Sequence, residues 1–439
     1  MKPSLTRWLA DYGMIFVLLL LCAFFSVVTY SEQSPTGEGA AKQVSAAIGG
    51  QIGKTARVLI AASDQPDDAA FATKLQRDLA ASGAQVLAVV KGQPKDAREA
   101  LQKIAAAGGK LDAIACTQVT GAWLVFSDLK TDFPALGDPR VITPRSYRWP
   151  NFLKSGNLLN IANQIAVIAI VAIGMTMVII TGGIDLSVGS LLALSAVLAA
   201  KFIRDFAGGA EASALGMFLA CAAAVVLCGG IGGFSGAMIT RFGIPPFIVT
   251  LAMMLVGSGF AYILAKGQSI YQIPDSFVWL GRGADVLRLP NAVVLMLVLY
   301  ALAHVLMSRM KLGRYLYAVG GNREAARLSG VPVQRVLLFA YVASALLAGL
   351  GGVIMASQLK SGSATYGNMY ELYVIAAVVV GGTSLSGGEG KMFGTLTGAF
   401  TIAVIQNGMN LTNVESYTQK VVLGMVILGA VLLDKIRQR

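Results

Sequence analysis

The chain has 439 residues, 55% of them hydrophobic and only 13% charged, with a mean hydropathy of +0.67. Soluble domains carry about 25% charged residues, so a water-facing surface over the whole chain is excluded. The net charge of +12 is read as basic residues collected in cytoplasmic loops, because Lys and Arg are poorly translocated, and not as a nucleic-acid surface.

The first apolar run covers residues 12–30 and follows Lys2 and Arg7. A signal peptide has the same basic start. The stretch 14–28 is longer than a typical signal core, and Ser26-Val27-Val28 offers no small-x-small cleavage site, so an uncleaved anchor is expected. Residues 31–53 are rich in Ser, Gly, Ala and Gln and read as a flexible linker. Beyond it, residues 57–62 read as a buried strand and 67–83 as an amphipathic helix closed by Gly83. A strand at 85–90, a helix over 94–108 opened by Pro94, and a third strand at 111–116 follow. That β-α-β-α-β order predicts a small parallel α/β unit. No G-x-G-x-x-G follows its first strand, so a dinucleotide site is not indicated.

Further apolar runs lie at about 158–181, 187–203, 212–238, 245–266, 290–308, 334–357, 370–382, 393–411 and 417–433. With the first helix these make ten spans of a ~30 Å hydrocarbon core, although the run at 370–382 is short for one. The fold class is therefore an all-α polytopic membrane protein of about ten transmembrane helices with a small extracytoplasmic α/β insert. The expected domains are 1–30 (cytoplasmic N-terminus and first helix), 31–149 (linker and insert) and 150–439 (transmembrane domain). Placing Lys2 and Arg7 inside also puts Arg241, Arg309, Lys311, Arg314, Arg323, Arg327, Arg335, Lys435, Arg437 and Arg439 inside, as the positive-inside rule requires. Lys201 and Arg204 fall outside and weigh against this orientation. The loop 360–368, on the opposite side, is nearly uncharged.

The spacings Gly229/Gly233 and Gly232/Gly236 allow close helix packing in lipid. Cys22, Cys116, Cys221 and Cys228 imply no disulfide framework, and the single His304 gives no metal site.

Three stretches stand out from this background. Ile180-Thr-Gly-Gly-Ile-Asp-Leu-Ser-Val-Gly-Ser190 places Asp185 between two apolar runs. An acidic group at membrane depth is unfavourable unless it faces protein or water. Asp185 reads both as a cap of the next helix, with Ser187 following, and as a residue lining a polar path. In the second stretch, residues 312–331, Asn322 is a good N-cap for a short charged helix that Gly330 and Pro332 stop. It reads as a solvated loop helix or as a docking helix for a cytoplasmic partner. The third, Gly381-Gly-Thr-Ser-Leu-Ser-Gly-Gly-Glu-Gly-Lys391, contains an LSGGE string like the signature of ABC-type ATPases. No G-x-x-x-x-G-K-[S/T] accompanies it, so it reads as a turn between membrane helices and not as part of a nucleotide hydrolase.

Taken in order, these stretches resemble the ribose-type permease family of bacterial ABC sugar importers. So do Ser155-Gly-Asn-Leu-Leu-Asn-Ile161, Ile244-Pro-Pro-Phe-Ile-Val-Thr-Leu-Ala252, Tyr370-Glu-Leu372 and Asn407-Gly-Met-Asn-Leu411. The resemblance implies a non-enzymatic membrane subunit that pairs with a second copy or a paralogue in the lipid bilayer. It implies an extracytoplasmic sugar-binding protein and a cytoplasmic ATPase subunit as partners. No cofactor is implied for this chain itself, since ATP is used by the partner. By position, Asn322, Arg323, Glu324, Arg327 and Leu328 would couple to the ATPase. Thr181, Asp185, Ser187, Ser190, Thr250 and Glu371 would surround the substrate path.

The chain departs from the family at Tyr373, where an Asp is common, and in the insert of about a hundred residues. The insert, with Ser63-Asp64-Gln65-Pro66 after its first strand, resembles one half-lobe of periplasmic sugar-binding proteins. It is expected to be an accessory docking domain or a tolerated insertion. Two other readings remain. A membrane-anchored ligand sensor would need a cytoplasmic output domain, and only a few residues follow Leu433. An ion-coupled secondary transporter would need paired intramembrane ionisable groups, for which Asp185 and Glu371 are the candidates.

Overall fold

The computed structural model describes residues 5–437, with side chains from 13 to 432. Lys2 and Arg439, and the side chains of Arg7, Lys435 and Arg437, lie outside the described residues. The chain divides into two compact units, Met1–Thr29 with Asn151–Arg439, and Tyr30–Pro150. Helix α1 (Leu5–Val28) belongs to the first.

The second unit begins with β1 (Tyr30–Gln33) and α2 (Gly37–Gln51). The expectation of a flexible linker over 31–53 is therefore corrected. Ala40, Val44 and Ile48 recur every four residues and are fully buried together with Ala41. Alanine has the highest helix propensity, so an Ala-rich stretch needs only this narrow apolar stripe to fold onto a core. There follow β2 (Arg57–Ala62), α3 (Pro66–Ser82), β3 (Gln85–Lys91), α4 (Pro94–Ala106) and β4 (Ala113–Cys116). Two single-turn helices come next, α5 (Gln118–Gly121) and α6 (Leu129–Asp132), then β5 (Arg140–Ile142) and β6 (Tyr147–Pro150). The main sheet is four-stranded and parallel, in the order β3-β2-β4-β5, and β5 was not foreseen. Separately, β1 and β6 pair antiparallel. Central strand β2 is buried on both faces. Val58 and Ile60 pack with Val44, Ile48, Phe71 and Leu75, whereas Leu59 packs with Leu101, Phe126 and Leu136. Period-2 alternation sends neighbouring residues into opposite layers, as in other parallel sheets covered on both sides.

The first unit continues from α1 with α7 (Ser155–Ile180), α8 (Val188–Phe206), α9 (Ala214–Phe242), α10 (Pro246–Ala265) and the single turn α11 (Trp279–Arg282). After these come α12 (Asn291–Arg309), α13 (Lys311–Gly321), α14 (Arg323–Leu328), α15 (Val333–Leu359), α16 (Tyr370–Val380), α17 (Met392–Leu411) and α18 (Ser416–Arg437). Among the described residues, α7, α9, α10, α12 and α15 are long and apolar enough to cross a membrane. The other predicted runs fall on α1, α8, α16, α17 and α18.

Helix α7 is the buried centre. The Tyr300 hydroxyl on α12 donates to its Ala169 carbonyl at 2.9 Å, and Thr176 shares a hydrogen bond with Thr395 of α17 at 2.8 Å. Against α15, Gly232 of α9 meets the Tyr341 backbone and Ala345, so a Cβ there would overlap both. The Gly229–Gly236 spacings thus serve close packing of α9 on α15. Large apolar side chains such as Phe218, Val226, Leu255 and Ile263 point outward.

Between α15 and α16 the chain is not a simple outer loop. Gly362 lies against Ala196 and Ala200 of α8, and Gly367 against Gly189, so residues 361–369 travel back along α8 in turns. Helix α16 begins only after this descent and has 11 residues. That is why the apolar run at 370–382 is short.

Candidate functional site

The residues between α7 and α8, numbers 181–187, form an irregular break that gathers the polar groups the sequence singled out. Asp185 is 2% exposed. Its Oδ1 accepts from the Ser187 amide at 3.0 Å and the Ser187 hydroxyl at 2.6 Å, and its Oδ2 accepts from the Ser344 hydroxyl on α15 at 2.8 Å. The helical N-cap position is Ser187, not Asp185. The carboxylate instead holds the amide of that cap residue, two positions on, and ties it to α15. A buried carboxylate needs such donors because burial without them costs several kcal/mol.

Three more of the predicted residues sit close by. The Ser190 hydroxyl donates to the Ser187 carbonyl at 2.8 Å, and Gly257 of α10 packs against Ser190. Thr250, near the start of α10, donates to the Ile184 carbonyl inside the break at 3.2 Å. The Glu371 carboxylate lies against Gly189 in the first turn of α8. A negative group there is favoured by the helix dipole. Asp185, Ser187, Ser190, Thr250 and Glu371 therefore share one neighbourhood, and Glu371 alone among them is half-exposed. Thr181 stands at the other end of the break, with its hydroxyl on the Val178 carbonyl at 2.7 Å.

The second stretch forms two helices where one was foreseen. In α14 the Asn322 side chain accepts from the Ala325 amide at 2.9 Å. Arg327 donates to Glu324 at 2.9 Å, and both side chains are about two-thirds exposed. Leu328 beside them is 81% exposed. Helix α13 had no signal of its own, since Gly313, Gly320 and Gly321 hid its apolar stripe of Leu316 and Val319.

The third stretch joins the other two. The Gly388 amide donates to the Ile180 carbonyl at 2.8 Å, and the Tyr317 hydroxyl of α13 donates to the Gly390 carbonyl at 2.8 Å. Gly320 fits where Ile180 and Gly388 meet, and a Cβ on it would overlap the Ile180 carbonyl oxygen. The LSGGE string is thus a turn between α16 and α17, with Gly387 and Gly388 both at positive φ. Helix α13, the turn and the end of α7 that leads into the break are in backbone contact through one glycine.

The family described as branched-chain amino acid transport system / permease component matches residues 157–431. The chain belongs to this family. It is 43% identical over 293 residues to the ribose import permease protein RbsC of Escherichia coli (strain K12), covering 66% of this chain and 88% of that protein. The RbsC protein of Bacillus subtilis (strain 168) is 43% identical over 288 residues, 65% of this chain and 87% of its own. The D-allose transport system permease protein AlsC of Escherichia coli (strain K12) is 35% identical over 286 residues, 65% of this chain and 85% of its own. No solved structure matches. The resemblance to a ribose-type ABC sugar permease holds, and the chain is a multi-pass membrane protein. The family match starts after the second unit, at residue 157.

Proposed function

We propose that this chain is the path-forming subunit of an importer for ribose or a similar monosaccharide in the bacterial inner membrane. The observation that carries the reading is the 43% identity to a ribose import permease over 88% of that protein's length. In this reading the chain crosses the membrane ten times, with both termini cytoplasmic and residues 31–149 outside. Lys201 and Arg204, the two basic residues that oppose this orientation, are both paired with Asp205, at 2.7 and 2.6 Å, which lowers their net charge on the outer side. A separate ATPase docks on α14, where Arg323, Glu324 and Arg327 surround the exposed Leu328. An extracytoplasmic binding protein delivers the sugar, and a second permease copy or a paralogue completes the path. The chain itself hydrolyses nothing and holds no cofactor.

The test is uptake of radiolabelled ribose into membrane vesicles that also contain an importer ATPase and a ribose-binding protein. Uptake that depends on ATP and is lost in the double variant Glu324→Lys, Arg327→Glu is expected. That variant should still reach the membrane, because a solvated ion pair contributes little stability. Uptake that follows an ion gradient without ATP would overturn the reading.

A further inference from the structure

The chain that leads into α16 carries a polar surface at a depth where a lipid-facing surface would be apolar. From Ala200, beside Gly362, to Gly189, beside Gly367, is about 16 Å along α8 at 1.5 Å per residue. Helix α16, with 11 residues, covers about 16 Å more. The two legs together match a ~30 Å hydrocarbon core, and their junction, near Glu371, falls close to its centre.

At that junction Thr365 and Asn368 are exposed and Glu371 is half-exposed. Asn368 makes no side-chain hydrogen bond, and Glu371 enters no ion pair, among the described residues. Backbone outside a helix is tolerated at this depth only where protein covers it or where it lines a water-filled cavity. The inner side of the segment is covered, since Ser361, Gly362, Ser363 and Gly367 are buried. The outer side is not. A carboxylate without an ion pair, an exposed amide and a hydroxyl whose one partner is Ser363, at 3.0 Å, are unfavourable in lipid contact at this depth.

Resting on the importer reading above, we propose that Thr365, Asn368 and Glu371 form the mid-membrane wall of the solute path and make its hydrogen bonds to a neutral polyhydroxylated solute. Their chemistry suits that class. The carboxylate accepts from hydroxyls, the amide both donates and accepts, and the threonine hydroxyl does either. At Met369 a φ of +64° turns the chain into α16, with Asn368 before the turn and Glu371 after it.

The experiment uses the full-length protein with Cys22, Cys116, Cys221 and Cys228 replaced by alanine. Single cysteines are then introduced as Thr365→Cys, Asn368→Cys and, as an outward-facing apolar control near the middle of α9, Val226→Cys. A membrane-impermeant maleimide should modify the first two at least about tenfold faster than the third, because a thiol must reach water to ionise. Millimolar ribose or allose should slow modification at position 368. If the cysteine-free background does not assemble, Thr365→Val and Asn368→Ala in the native background take its place. Each should raise the half-saturating ribose concentration for uptake several-fold at unchanged protein level. Equal maleimide rates at all three positions would overturn the proposal. So would a direct disulfide between two copies at position 368 without labelling, which would make the surface a closed contact between copies. Fast labelling that neither sugar slows would sustain the wall and overturn the monosaccharide reading.

Discussion

The two units of this chain place the same chemistry on opposite sides. In Tyr30–Pro150, the centre is Leu59, Ile60, Phe71, Leu75 and Leu101, while ion pairs such as Lys130 with Asp138 lie outermost. In the helical unit Phe218, Val226, Leu255 and Ile263 are outermost. Its interior holds Asp185 with Ser187 and Ser344, and Thr176 with Thr395. The difference teaches what holds each one. In water, apolar burial supplies the driving force. Between lipid-facing helices that force is absent, and close packing through small residues and internal hydrogen bonds replaces it.

The largest expected effect follows from the second half of that contrast. Gly320→Ala puts a methyl group into the Ile180 carbonyl oxygen and against the Gly388 amide, both of them backbone. Neither can rotate away, so α13, the turn and the α7–α8 break must separate. We expect a loss of about 3 kcal/mol or more, enough to stop the helical unit from assembling. Gly321→Ala, one residue on, has nothing within 4 Å of its added Cβ and should change stability by no more than about 0.5 kcal/mol. Size-exclusion profiles and thermal unfolding of the two variants in detergent decide it. Equal behaviour would remove the glycine contact from the account.

Leu59→Ala tests the first half. Leu59 is fully buried on β2, and its truncation should cost the insert about 2–5 kcal/mol in lost burial and residual cavity. The loss should stay within Tyr30–Pro150. Limited proteolysis of the full-length variant should cut between residues 57 and 142 while α7 to α17 remain intact. Release of Cys116 gives a second readout. Burial raises its thiol pKa to about 12, so it should react with maleimide only once the insert opens. Cleavage spread evenly over both units would show that the two are one cooperative structure.

The parts of this fold that were legible in the sequence are those whose pattern is long and periodic. The apolar runs from α7 to α18 fell on helices, and the cap of α14 was legible because Asn322 precedes a short charged run closed by Gly330. Elements built from small residues were not. Helix α2 hides in Ala, Gly and Ser, and α13 in three glycines, since neither shows a wide apolar stripe. For the candidate site, a carboxylate inside an apolar sequence pointed to Asp185 and Glu371. Nothing comparable marked Thr365 or Asn368. Their setting depends on Gly362 and Gly367 resting against α8, a contact between segments more than 160 positions apart. The one available signal was the shortness of the run at 370–382.

The smallest expected effect sharpens the comparison at the water-exposed end. Arg57 and Asp112 hold β2 and the start of β4 together by two side-chain hydrogen bonds, Nε to Oδ2 at 2.9 Å and Nη2 to Oδ1 at 2.7 Å. The Arg57 amide adds a third at 2.8 Å. These bonds, led by the guanidinium, hold the Asp112 carboxyl below its ordinary value. A carboxyl depressed on folding contributes stability at pH above its unfolded value, near ~3.9, and loses it as pH falls through the lower folded value. Because the pair is a third exposed and screened by solvent, the contribution is small. Asp112→Asn should therefore lower the thermal midpoint of the insert slightly at pH 7. The gap between variant and parent should stay constant down to about pH 4 and close below it, as the parent's carboxyl takes up its proton. Other carboxylates titrate in both proteins, so the difference isolates this one. A gap that stays open at the lowest pH would assign the effect to the amide's shape and not to charge.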